Sequence, residues 1–203
     1  MTEVRGEGTS PVGEVQGEDW YGEDLSGREY TGVAFSGVDL SEATDDGAVF
    51  TDCTFHDCRF NGSRHTEAAF LNCTFTGCSF FEAAFDACKF VGSRFERCSF
   101  GLLTVTGGDW SFVGLAGADL SKVRFSGVRL READLAGARC AEAVLRDADL
   151  SGAELHQADL SGADLRGSDL STLDPADVTL RGATVDMVQA VVLVTALGLN
   201  VES

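Results

Sequence analysis

The chain has 203 residues, 24 Gly, only 2 Pro and a formal net charge of −18, the length of a single domain with an acidic surface. Thirty-three acidic residues against fifteen basic ones exclude a nucleic-acid binder that works by neutralising phosphates, so nucleic acid is not an expected partner. No run approaches the ~20 apolar residues of a membrane span, and the polar, acidic start has no apolar segment of a secretory signal; no membrane association and a cytoplasmic location are expected.

Residues 1–18 read as a flexible acidic tail. From Leu25 to Leu170 the residue at every fifth position is apolar, the exceptions being Asp45 and His65. Two positions earlier, from Val33 to Ser168, the residue is small or Val every time except at Leu103. A period of five fits neither the 3.6 of a helix nor the 2 of a strand. A chain that turns inward twice in five residues and bends in every unit must wind about a narrow axis, so 19–184 are expected to form a solenoid. Aromatics fill the central positions of the first half (Tyr30, Phe35, Phe50, Phe55 and onward to Phe100) and Leu those of the second. Each such side chain contributes on the order of 1.5–3 kcal/mol when buried.

Three irregularities interrupt the pattern. Asp45 and His65, twenty residues apart, are either buried as a pair or turned to solvent where their units bulge, and the bulge is the favoured reading. The segment SFGLLTVTGGDW, with Leu103 in a small slot and Gly107–Gly108, marks the change from Phe to Leu and is where the axis is expected to kink. Pro175, at a central position, ends the regular repeats, leaving one last unit, VTLRG. Residues 185–203 then switch period: Asp186 is a helix N-cap and Gly198 a C-terminal stop, enclosing a short α-helix that caps the coil. Met187, Val188, Val191, Val192, Val194 and Leu197 make it apolar nearly all round, which requires cover on more than one side; the last coil supplies one face and a second copy of the chain the other.

Six of the seven Cys occupy the small inward position and Cys140 a central one, so all seven are expected to be reduced core residues. That removes the metal-like spacing of CTFHDC, because Cys53 and Cys58 point in while His56 points out; no metal and no cofactor are expected. No phosphate-binding or nucleophile-elbow motif occurs, and no Ser has an identifiable His and Asp beside it, so an enzyme is not expected.

What remains is the surface. Glu132, Asp134, Glu142, Asp147, Asp149, Glu154, Asp159, Asp164, Asp169, Asp174 and Asp177 face only Arg139, Arg146 and Arg166 in the same 46-residue stretch. At the ladder spacing that stretch covers roughly 11 Å of axis, a charge density on the order of duplex DNA, which carries one charge per ~1.7 Å. An Asp before the central residue can also bond corner backbone, a folding reason that covers about half of these acids and not Glu132, Glu142, Asp147 or Asp177.

The recurring ADLSG, ADLAG and ADLRG units resemble the pentapeptide-repeat family. That resemblance implies a right-handed quadrilateral β-helix, four units to a coil and about eight coils, with a short C-terminal capping and dimerisation helix. Within the family, FSGVDLSEATDDGAVFTDCTF, SFGLLTVTGGDWSFVGLAGADL and LRGATVDMVQAVVLVTALGL are most similar to the mycobacterial fluoroquinolone-resistance branch, and more loosely to the plasmid quinolone-resistance branch. This implies a homodimer joined at its C-termini, a rod that mimics DNA, and DNA gyrase as partner. Two such rods span roughly 80–100 Å, about 25–30 base pairs. The acidic tail and the lack of long projecting loops depart from those relatives. The other readings are a scaffold module whose acidity only solvates it, and an immunity protein of a natural-product cluster.

Overall fold

The computed structural model describes residues 13–202. They contain fourteen strands of three or four residues and one helix, α1 (Met187–Ala196). Every strand pairing is parallel and joins a residue to the one twenty positions later, as in Val15 to Phe35, Phe35 to Phe55 and Phe55 to Phe75. Segments that repeat one turn apart run in the same direction, so the parallel ladder follows from the winding itself. On this strip the ladder continues through Phe75–Phe95 and the bridges from Arg94 to Gly114, Asp134 and Glu154. Seven steps thus link eight rungs, and the molecule is an all-β solenoid of about seven turns with one short C-terminal helix.

The first rung begins before the expected boundary. Strand β1 (Gly13–Gln16) pairs with Val33–Ser36, so residues 13–18 are not part of a flexible tail. The rest of the expected tail, 1–12, lies outside the described residues.

Twenty residues per turn place four five-residue units on each rung, and each unit turns its central and small residues inward. Stacked rings hold the first half: Phe35–Phe55, Phe50–Phe70, Phe55–Phe75 and Phe75–Phe95 lie 4.7–4.8 Å apart within 8° of parallel. That distance is the strand spacing, so ring stacking and backbone pairing satisfy each other. Two residues after each central residue from Leu25 to Leu165 the chain adopts a left-handed corner, and fifteen non-Gly residues take it as well as the glycines.

Asp45 and His65 correct the favoured expectation: both are buried, and no bulge turns them out. The pairing Asp45↔His65 keeps the twenty-residue register, with His65 stacked 4.6 Å from Phe85. His65 Nδ1 contacts Asp45 Oδ2, and His65 Nε2 lies 2.9 Å from Ser63 Oγ. A pair of hydrogen-bonded groups costs less inside than either would alone, and this lets the register run on. Asp45 Oδ1 remains without a partner.

The Phe-to-Leu segment is where the ladder parts. One rung below, Ser99 N donates to Cys78 O and Phe80 N to Ser99 O, at 3.0 and 2.8 Å; one rung above, Arg139 N donates to Ala118 O and Leu120 N to Arg139 O, at 2.9 and 2.7 Å. Between them no backbone bond joins Arg97–Leu102 to Ala116–Ser121 among the described residues. The opening closes at both ends, where Phe95 N donates to Gly114 O and Arg124 N to Leu103 O. Half a turn away the rungs are tight, Asp109 N donating to Cys88 O at 3.0 Å and Gly108 lying against the same carbonyl. Branched Leu115 and Leu120 cannot continue the ring stacks above Phe95 and Phe100, while Gly108 lets the opposite side stay in close contact. Where a kink is expected, the structure has a slit on one side.

Past Pro175 the ladder resumes at Thr179 and Thr184, paired with Asp159 and Asp164. Helix α1 is N-capped by Asp186 in a reciprocal capping box with Gln189, and its C-cap Leu197 is followed by Gly198, which holds φ 80°. Buried Gln189 donates from Nε2 to Leu165 O and Ser168 O, sealing carbonyls of the last coil.

Candidate functional site: the acidic end and the terminal helix

The acidic residues follow from the corner chemistry. In Asp134, Asp149, Asp159, Asp164, Asp169 and Asp174, one carboxylate oxygen accepts from the backbone N–H two residues on, at 2.9–3.3 Å. Each corner fixes the aspartate that precedes it, so the carboxylates repeat with the rungs. Glu132, Glu142 and Asp147 instead occupy left-handed corners, with φ of 51°, 57° and 53°. A non-Gly residue there costs about 1–2 kcal/mol.

The register sorts the eleven acids. Asp134 and Glu154 pair on one strip, which Asp174 continues by the twenty-residue count without a backbone bond of its own to Glu154; Asp169 follows Asp149 on the strip before it, and Glu132 stands at the corner between. Asp147 and Asp177 flank these two strips, whereas Glu142, Asp159 and Asp164 lie on the far side. The structure thus brings eight together and leaves three apart.

Part of the charge is neutralised locally, which sequence spacing did not reveal. Arg131, just outside the acidic stretch, donates to Asp149 at 2.5 Å, Arg166 to Asp164 at 2.7 Å, and His156 meets Asp177 at 2.5 Å. Lys122 stands 3.6 Å from Glu142. The bond from Arg166 holds the Asp164 carboxyl down at about 2. Burial works against ionisation of Asp149, but the bonds from Ser151 and Arg131 outweigh it and lower its pKa. Glu132, Asp134, Asp147, Glu154, Asp159, Asp169 and Asp174 have no cationic partner among the described residues.

The same device operates near the other end, where Arg59 donates to Asp39 and holds it at about 2. An acid with a depressed folded pKa stabilises the fold fully above its unfolded value of about 4 and loses that contribution as pH falls toward 2. The stability difference between wild type and Arg59→Ala is therefore expected to be constant from pH 7 to 5 and to shrink between pH 4 and 2. Urea midpoints of the two proteins measured in parallel check this, since the relief of overall self-repulsion on acidification is common to both.

The terminal helix leaves Met187, Val188, Val191 and Leu197 exposed, at 81, 76, 44 and 55 %. Leu199 and Val201 extend the same apolar surface beyond the expected residues. Val192 and Val194 are half-buried, and Val192 faces a cleft against Gly167–Ser171 of the last coil. The apolar end thus adjoins the acidic strips.

Elsewhere one assembly contradicts the expectation that no Ser has a His and an Asp beside it. Ser63, His65 and Asp45 are hydrogen-bonded in that order. However, Ser63 is fully buried, and its Oγ donates to Phe60 O at 2.7 Å and so accepts from His65 Nε2. A nucleophile needs the reverse direction and access to substrate, so this trio holds the core together. His56 is exposed while Cys53 and Cys58 are buried, so CTFHDC cannot converge on an ion. No helix among the described residues is long and apolar enough to cross a membrane.

Two family models match the chain, "Pentapeptide repeat region" over residues 48–125 and "Pentapeptide repeats (8 copies)" over 31–64 and 133–171. No curated protein matches it by sequence. Among solved structures, a trypsin-treated variant of QnrB1, a plasmid-mediated fluoroquinolone resistance protein, superposes with a TM-score of 0.66 at 24% identity, covering 93% of this chain and 97% of that one. HetL, a pentapeptide repeat protein involved in heterocyst differentiation regulation in the cyanobacterium Nostoc, is 21% identical over 84% of each chain with a TM-score of 0.37. The twenty-residue ladder, the left-handed corner of the units from Leu25 to Leu165 and matches over more than half of the sequence make this chain a member of the pentapeptide-repeat family.

Proposed function

We propose that the protein is a homodimeric DNA mimic that binds the DNA-holding surface of DNA gyrase and modulates its activity, protecting it from fluoroquinolones or other gyrase poisons. The observation that carries this reading is the gathering of eight acids on and beside two consecutive strips, next to an uncovered apolar helix. A basic protein surface that normally grips DNA is the complement of such a lattice. Glu132 and Asp147 support it further, since they occupy corners where Gly would cost less. The likeness to QnrB1 is compatible with it. In this reading the coil is right-handed and quadrilateral, two copies join through α1, and the protein works in the cytoplasm.

Supercoiling by purified gyrase, with and without a fluoroquinolone, tests the proposal. Wild-type dimer at micromolar concentration is expected to change the activity or its drug sensitivity. E132K/D147K/E154K, which breaks no corner hydrogen bond, is expected to lose at least about tenfold in potency, or about 1.4 kcal/mol. No effect of the wild type in either condition overturns the reading. The dimer has its own check: V188D/V191D is expected to give monomers by light scattering, where wild type gives dimers.

A second reading, a scaffold whose acidity serves folding and solvation, is favoured by the six aspartates that bond their own corners. It predicts that the same charge reversal leaves every partner bound.

A further inference from the structure

Cys98 departs from the expectation that all seven cysteines are sealed in the core: six are buried, and Cys98 is partly open. The reason is the slit. Cys98 lies on the opened edge, in a cavity of about 270 Å³ lined also by Phe95, Arg97, Asp119 and Arg139. Below it the ladder is closed, Ser99 N donating to Cys78 O at 3.0 Å, so Cys78 lies on the next rung of the same column with Cys58 beyond it, and the Cys98 thiol donates to Phe75 O at 3.4 Å. One thiol of a stacked series is therefore exposed at the place where the rungs part, with its neighbour held directly behind it.

We propose that Cys98 and Cys78 form a dithiol that hydroperoxides oxidise, Cys98 as the reacting thiol and Cys78 as the resolving one. The Cys98 thiolate attacks the outer oxygen of the peroxide. An S–O bond forms, the O–O bond breaks, the sulfur is oxidised by two electrons and the peroxide leaves as an alcohol, or as water from hydrogen peroxide, after taking up a proton. The Cys78 sulfur then attacks the Cys98 sulfenic sulfur; the S–S bond forms, the S–O bond breaks, and the hydroxide leaves as water with the Cys78 proton. Adjacent rungs lie about 4.8 Å apart, inside the Cα separation that a disulfide spans.

The electrostatics agree with this order. The neighbouring Cys78 thiol lowers the Cys98 pKa, and the Cys78 thiol is pushed up by its neighbours Cys58 and Cys98 and by burial. Arg97 and Arg139 stand at the slit, Arg139 shared with Asp119 at 3.1 Å, while the charge of Glu96, two residues before Cys98, opposes ionisation. Cys53 and Cys73 form a second stacked pair, but both are buried in closed ladder, which is why the reaction is assigned to Cys98.

The test uses the reduced, full-length protein. Under native conditions iodoacetamide is expected to modify Cys98 at least about tenfold faster than Cys73, because thiolate character and exposure set the rate. Hydrogen peroxide is expected to produce a bond that peptide mass spectrometry maps to Cys78–Cys98. Cys78→Ser should stop at a sulfenic acid on Cys98 that a cyclic 1,3-dione traps, and Cys98→Ser should give neither product. Alkylation of Cys98 no faster than Cys73, a bond mapped between other cysteines, or absence of both bond and sulfenic acid overturns the proposal. If Cys78→Ser fails to fold, the wild-type alkylation order and bond map decide it.

Discussion

Replacing Asp45 alone by Leu is expected to destabilise the solenoid by about 3–5 kcal/mol, because it leaves the His65 ring buried with one nitrogen unpartnered. His65→Phe alone should cost as much, since both Asp45 oxygens would then be orphaned; one already is. The double variant D45L/H65F should return to wild-type stability or exceed it by about 1–4 kcal/mol. Its side chains are those the column already carries at Leu25 and Phe85, and the Phe can take over the stack on Phe85. Urea midpoints for the four proteins form a cycle, and midpoints are the quantity to compare because repeat arrays can unfold in stages. A double variant as unstable as either single one would mean that the polar pair is required to hold the rungs in register.

Gly108→Ala should be the most damaging glycine replacement. Its backbone has φ 85°, and a Cβ would lie 2.1 Å from Cys88 O, a backbone atom that cannot swing away. Left-handed strain and overpacking together predict a loss of about 2–5 kcal/mol. Gly107→Ala, one residue earlier, should cost only about 1 kcal/mol. It meets nothing within 4 Å, and Ala87 already holds the corner one rung below at φ 53°. Thermal midpoints of the two variants separate close packing from mere loss of glycine freedom. Equal losses would remove Gly108 as the tight side of the parted rungs.

Much of this was legible beforehand for a single physical reason: in a coil that repeats every twenty residues, burial depends on position in the five-residue unit, and position can be counted. Phe55, Cys73 and Leu145 went inward as counted, and Asp186 and Gly198 bounded the helix because capping is local chemistry. For Asp45 and His65 the bulge is favoured over the buried pair because the five-residue count does not show the rest of the site: Ser63 Oγ at His65 Nε2 and the Phe85 ring stacked on His65 complete it. The tail boundary slipped because the residues from Gly13 to Gln16 carry one central apolar residue, Val15, too little to show a period. The pairing of Arg131 with Asp149 was missed because its partners are eighteen residues apart, nearly a full turn.

The sequence alone determined the winding, the contents of the core, the helix that closes the end and the excess of carboxylates, since all of these are set by residue type at a fixed spacing. Only the tertiary structure decided which carboxylates share a side, which are neutralised, and where the ladder opens. Those depend on how neighbouring rungs pair and on which side chains meet across them. The closeness of Gly108 to Cys88 on one side and the partial exposure of Cys98 where backbone bonds are missing on the other are relations between rungs that no single unit contains.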